Sequence, residues 1–149
     1  MRDLKRTNKK HLGELLVERG VIDREQVAMA MAYQNENSGL FGEILVELKC
    51  ATEEDIAQAL TSQYGFPYLP LANYEIDQEV IDAIPMDMCR RFCLIPIDKI
   101  GKSLTVAMAD PLNTAAVEDV ELLTGCTVQT FVSTGADIKE AIQKYYKKS

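Results

Sequence analysis

The residues able to do chemistry in this 149-residue chain are few, and their spacing decides what each is for. Four cysteines occur, Cys50, Cys89, Cys93 and Cys126, with one histidine, His11. A structural zinc site needs four nitrogen or sulfur ligands arranged in pairs. Cys89 and Cys93, four apart on an expected helix, have no second pair and no histidine nearby, so no metal site is expected. A thiol–imidazole dyad would need His11 beside one of these cysteines, and nothing in the spacing brings them together. Reduced, mostly buried thiols of a cytoplasmic protein are the expectation. Gly101-Lys102-Ser103 has the last three residues of a phosphate-cradling loop, but the leading glycine of G-x-x-x-x-G-K-S falls on Pro96. Such a loop also joins a strand to a helix, whereas this one lies between two expected strands. The carboxylates Glu53, Glu54 and Asp55 open an expected helix, where acids suit the positive end of the dipole. Glu118, Asp119 and Glu121 read as a solvated helix face. No catalytic residue is expected, and the chain is read as a non-enzyme.

Composition narrows the choice further. Apolar residues make up 47% and charged residues 26%, which is ordinary globular composition. With 23 Asp and Glu against 16 Lys and Arg, the net charge is −7. A nucleic-acid groove needs a basic field, so nucleic acid is not an expected partner. No apolar run reaches the ~18–20 residues that cross a bilayer, so no membrane insertion is expected. The basic start, residues 1–10, precedes no apolar stretch of the kind a signal peptide carries. It reads as a solvated tail able to guide an acidic partner or an anionic ligand toward His11.

The elements that must position any site come in a repeat. Residues 11–34, HLGELLVERGVIDREQVAMAMAYQ, align without gaps on residues 40–63, LFGEILVELKCATEEDIAQALTSQ, at a period of 29 residues with nine identities. Each copy reads as a short helix, a break and a longer helix. In the first, Leu12, Leu15 and Leu16 share a face, Gly20 ends the helix, and Asp23 with Gln26 forms a capping box. Val27, Ala30, Met31 and Tyr33 or Gln34 then face inward. In the second, Thr52 and Asp55 make the matching cap, and Ile56, Ala59, Leu60 and Gln63 repeat the inner face. Gly13 and Gly42 coincide. A glycine inside a helix costs about 1 kcal/mol relative to alanine, so close helix contact or an anion at the backbone is expected to require it twice.

Beyond Tyr64 the pattern changes. Pro67 and Pro70 make residues 65–73 an extended connector. Asp77 caps a short helix over 78–84, and Pro85 starts another over 86–92. Residues 94–100 and 104–109 read as a hairpin of strands. A helix over 114–123 follows, with Ala116, Val117, Val120 and Leu123 inward. Residues 126–132 read as a third strand, and Thr134 with Asp137 caps a last helix over 136–147. The fold class expected is α+β: an N-terminal all-α tandem helical-hairpin repeat (11–64), then a small α/β subdomain with a three-stranded sheet (74–147).

These strings together resemble the N-terminal domain of type II secretion and type IV pilus assembly ATPases. The resemblance runs over residues 11–147. It rests on Leu12-Gly13, Leu16-Val17, Gly20-Val21-Ile22, Val27, Met31 and Gln34, then Tyr64-Gly65-Phe66-Pro67-Tyr68, Ile84-Pro85, Leu94-Ile95-Pro96 and Leu104-Thr105-Val106-Ala107-Met108-Ala109-Asp110-Pro111. The last string is the most specific. The ATPase region of that family, with its four-cysteine zinc site, does not occur within these 149 residues.

Two roles are implied by the resemblance. One is a docking or regulatory module that engages the cytoplasmic domain of an inner-membrane secretion or pilus platform protein, or a separate motor ATPase. The other is a sensor of cyclic di-GMP, the one ligand the resemblance suggests. In the family each copy of the motif opens with Arg-Leu-Gly and closes on Gln. Carried over here, the ligand-binding set is His11, Leu12, Gly13, Leu16, Val17 and Gln34 in the first copy. In the second it is Leu40, Phe41, Gly42, Leu45, Val46 and Gln63. The sequence departs at the openings, where His11 and Leu40 stand in place of arginine, and at Lys49, which replaces a glycine. Losing two charge-assisted contacts at about 1.5–3 kcal/mol each weakens binding on the order of 10²- to 10⁴-fold.

Overall fold

The helices of the two repeat copies keep a common register. The computed structural model describes residues 12–72 and 74–146. Among the described residues helix α1 covers 12–18, and it ends 29 positions before α3 (Phe41–Glu47) does. Helix α2 (Arg24–Asn37) and α4 (Glu53–Tyr64) start with the same offset. Both long helices are opened by a full capping box. Gln26 N–H donates to Asp23 Oδ1 at 2.8 Å, and Asp55 N–H donates to Thr52 Oγ1 at 3.0 Å. The return bonds, Asp23 N–H to Gln26 Oε1 and Thr52 N–H to Asp55 Oδ2, are 3.0 and 3.1 Å. Each box satisfies amide donors that the first helical turn leaves without partners.

The turn inside each copy shows how one backbone shape accepts two residue types. Gly20 sits at φ +77°, a left-handed conformation natural to glycine. Its counterpart Lys49 adopts φ +64° with a side chain attached, which costs an L-residue about 1–2 kcal/mol.

After α4 come α5 (Gln78–Ile81), α6 (Met86–Phe92), β1 (Leu94–Ile100), β2 (Ser103–Met108), α7 (Thr114–Thr124), β3 (Thr127–Val132) and α8 (Gly135–Tyr145). The sheet order is β1-β2-β3, with β1 antiparallel to β2 and β2 parallel to β3. Gly101 and Lys102 form the hairpin turn between β1 and β2, as the sequence reading has it. The fold is mixed α+β with a three-stranded sheet, as expected.

Buried side chains gather in two clusters. One joins Leu12, Leu16, Ala30, Phe41, Leu45, Ala59 and Leu60 of the repeat with Val132. The other joins Ile81, Ile84, Leu94, Ile95, Val106, Met108, Val120 and Ile138 around the sheet. Each large aliphatic side chain fully removed from water contributes about 1.5–3 kcal/mol, and this drives both clusters. Between them runs the connector, which is not a loose tether. Val132 N–H donates to Pro67 O at 2.8 Å, and Leu69 N–H donates to Val132 O at 2.9 Å. Residues 67–69 thus form a strap alongside the end of β3, bridging Tyr68 to Val132 in parallel. Ser133 Oγ fastens it further by donating to Leu69 O at 2.7 Å.

Several local expectations are corrected. Helix α5 stops at Ile81 rather than at residue 84: Pro85 has no N–H to offer the Ile81 carbonyl, and the Tyr146 hydroxyl, from the far end of the chain, lies 2.8 and 2.7 Å from the Ile81 and Ile84 carbonyls. Asp77 occupies the N-cap position of α5 but makes no side-chain cap bond. Cys93 is not on a helix face shared with Cys89. It is the left-handed cap residue after α6, at φ +53°. The third strand begins at Thr127, not 126. Leu123 is 51% exposed because α7 turns that position away from the sheet. Gln63 is exposed on the outer side of α4 rather than on its inner face.

Candidate functional site

The two motif glycines pack reciprocally across the repeat. A methyl built on Gly13 would lie 3.4 Å from the Phe41 ring and 3.5 Å from Val27. One built on Gly42 would lie 3.5 Å from Leu12. Phe41 and Leu12 are themselves 29 residues apart, so each copy presents its glycine to the other copy's large apolar residue. Small residues let the short helices α1 and α3 approach closely. A methyl at these distances is ordinary contact, so packing alone accepts alanine.

The other motif residues separate by depth. Leu12, Leu16 and Leu45 are wholly buried, and Phe41 nearly so. Val17, Leu40, Gly42 and Val46 are half-buried. Gln34 donates through Nε2 to Gly39 O at 2.7 Å, folding the spacer back on α2, while its buried Oε1 has no partner among the described residues. His11 and the basic residues before it lie outside the described residues.

Leu12, Leu40, Gly42 and Val46 converge on a cavity of about 40 Å³ between the repeat and the sheet. Its walls also include Glu43, Glu53, Ile56, Asp110, Ser133, Thr134 and Gly135. Two polar links bridge the halves here. Ala136 N–H, in the first turn of α8, donates to Glu53 Oε1 at 3.1 Å. Lys139 Nζ on α8 pairs with Glu43 Oε2 at 3.3 Å. Burial is the largest single influence on Lys139 and lowers its pKa, but the charge and hydrogen bond of Glu43, with Cys93 and Glu53, together outweigh it, so the net shift is upward. Sequence reasoning took Glu53 as a helix-dipole acid, since no local pattern reveals a partner 83 positions on. Asp110, of the most specific family string, has its carboxyl pushed up to about 6 by burial, against the opposing hydrogen bond from Leu112 N–H at 3.0 Å.

The thiols of Cys89 and Cys93 hold their protons. Burial pushes Cys89 up to about 11, with a smaller opposing effect from its hydrogen bond to Tyr146. Cys93 is pushed up by burial and then by the Glu43 charge. Thiols in such surroundings are poor nucleophiles. Among the described residues, no three His, Cys, Asp or Glu side chains are grouped to hold a metal. No helix among them is long and apolar enough to cross a membrane.

The model of the MshEN domain family matches residues 64–149. The chain belongs to the MshEN domain family. This MshEN domain is 35% identical over 135 residues to the type IV pilus assembly ATPase PilB of Myxococcus xanthus, an alignment covering 91% of the chain. It spans 24% of that relative's length. Among solved structures it matches the N-terminal domain of XpsE, with a TM-score of 0.75 at 20% identity over 97% of each chain. It also matches MshE with cyclic di-GMP, with a TM-score of 0.67 at 24% identity, covering 91% of this chain and 98% of that one. At these identities the solved structures speak for the fold of the MshEN domain. The sequence reading of an N-terminal domain from secretion and pilus ATPases agrees with both kinds of match.

Proposed function

We propose that this chain is a docking and regulatory module of a type II secretion or type IV pilus system, acting without making or breaking a covalent bond. Its partner is the cytoplasmic domain of an inner-membrane platform protein or a separate motor ATPase, and it works in the cytoplasm. The observation that carries this reading is the coincidence of two matches over nearly the whole chain: to a pilus assembly ATPase in sequence and to the XpsE N-terminal domain in fold. A segment alike throughout to a domain that stands apart in a solved structure is suited to contribute a surface. In this reading residues 11–64 and 74–147 act as two units joined through 65–73. The strap and the Glu53–Ala136 bond support a fixed mutual orientation.

The direct test is calorimetric titration of the chain with the purified cytoplasmic domain of a platform protein of such a system, and with a motor ATPase. Micromolar or tighter binding to either supports docking. No heat with both at ~100 µM chain, or turnover of ATP by the chain alone, overturns it.

A second reading, a cyclic di-GMP sensor, is favoured by the motif glycines. Packing at Gly13 and Gly42 accepts a methyl, yet both positions carry the residue that costs a helix about 1 kcal/mol, and Gly42 lines the cavity beside Leu40 and Val46. A relative of the same fold was solved with that ligand. The set proposed is His11, Leu12, Gly13, Leu16, Val17 and Gln34 with Leu40, Phe41, Gly42, Leu45, Val46 and Gln63. Titration with cyclic di-GMP decides it. Micromolar binding abolished by Gly13→Trp supports the sensor, and no heat at ~100 µM chain removes it.

A further inference from the structure

The strap that joins the two halves also fixes an aromatic ring in an acidic setting. Tyr68 is held by backbone bonds on both sides, through Pro67 O and Leu69 N–H to Val132, yet 45% of its surface is exposed. It lies in an open groove of about 440 Å³ with Glu54, Ala57, Gln58 and Thr61 of α4 on one wall and Thr134 on the other. The phenol is held above its ordinary value first by burial, then by the charges of Asp137, Glu54 and Glu53, so the ring sits in a negative field, with Glu54 on the groove itself. Glu53 is engaged by Ala136 N–H. No ion pair to Glu54 or Asp137 is present among the described residues.

Such a combination has a specific chemical complement. A planar guanidinium stacks on an aromatic face and presents donors at its edges to carboxylates, which a compact ammonium does less well. The wider surface has the same sign: residues 12–64 contain ten Asp and Glu against three Lys and Arg. A ring pinned through its backbone loses little freedom when covered, so contact there is preorganised.

We propose that the groove between α4 and residues 67–69, floored by the Tyr68 ring and lined by Glu54, receives an arginine side chain from an extended basic segment of a partner protein. This rests on the docking reading and gives it a location and a partner chemistry.

The test uses the full chain and an acetyl-Gly-Arg-Gly-Arg-Gly-amide peptide at 20 mM salt, followed by amide chemical shifts. Shifts confined to Thr61, Tyr68, Glu54, Thr134 and Asp137 are expected. Tyr68→Leu weakens binding about fivefold, while Tyr68→Phe, which keeps the ring, stays within about twofold. Glu54→Gln combined with Asp137→Asn weakens it by at least about fivefold, and a lysine peptide binds about two- to threefold more weakly than the arginine one. The strap is bonded through the backbone of Pro67 and Leu69 and not through the Tyr68 side chain, so these variants fold, and their unperturbed amide spectra verify it. Shifts spread evenly over all acidic faces, or Tyr68→Leu binding as wild type does, overturn the proposal. So does concentration-dependent dimerisation through this groove without peptide, which would make a second copy the occupant. The two readings fail separately. A platform domain that binds Tyr68→Leu unchanged removes the groove and keeps docking. An arginine peptide that seats on Tyr68 while no platform or motor domain binds keeps the groove and removes that docking.

Discussion

The two copies of the repeat share their helix register, their capping boxes and their reciprocal glycine contacts, but they differ in what they touch next. The first copy ends on itself, with Gln34 tied to Gly39 in the spacer. The second ends in the strap along β3, and its Glu43 and Glu53 reach α8. Duplication supplied one packing solution twice. Divergence then left the second copy to hold the sheet, and Leu40, Gly42 and Val46 to line the cavity between them.

The equivalence of the copies breaks first, if it breaks, in the core. Leu16 and Leu45 are 29 residues apart and both wholly buried. Leu16→Ala and Leu45→Ala are each expected to cost about 2–5 kcal/mol in urea unfolding. A difference above about 2 kcal/mol between them would show that the copies carry unequal shares. Next comes overpacking: Gly13→Leu meets the Phe41 ring and is expected to cost about 1–3 kcal/mol, much of it recovered when Phe41→Ala is added. Additive costs in that double-mutant cycle would disprove the reciprocal contact.

Smaller effects sharpen the comparison. Removing either cap, by Asp23→Ala or Thr52→Ala, is expected to lower stability by about 1 kcal/mol, alike in the two copies. Lys49→Gly should raise stability by roughly 0.5–1 kcal/mol, relieving the left-handed lysine at the price of a looser unfolded chain. Thermal melts of both variants check these values, and a loss for Lys49→Gly would contradict the positive φ. The remaining effect is electrostatic. The folded-state pKa of Asp110 is raised to about 6 from 3.8, so the native state keeps a proton that the unfolded chain has released. Its contribution is therefore fully present below the unfolded value and is lost as pH rises through 6. The amide of Gly42, on the same cavity, should titrate with a midpoint near 6 while that of Gly20 does not. Asp110→Asn should abolish the titration.

What sequence reasoning read correctly was local. The capping boxes need residues three apart, the repeat needs only a period, and the hairpin needs two short apolar runs on either side of Gly101-Lys102. The errors lie where a distant residue decides. The carbonyls that follow α5 meet Tyr146, more than 60 positions on. Gln63 and Leu123 face outward although their periodicity suits an inner face, since neither position meets a partner element there. At the candidate site, Gly13, Gly42 and their shared setting were legible from spacing. Tyr68, Glu54 and Asp137 were not, because the strap and the start of α8 bring them together over more than 60 positions.

The strap also has a mechanical meaning. Pull the helical hairpins away along the direction of β3, and the two backbone bonds at Val132 are loaded together, in shear, with the Ser133–Leu69 bond beside them. A joint of that kind stays stiff until it yields all at once, whereas a single-file seam would peel open. Traction on one half would therefore be passed to the other almost undiminished.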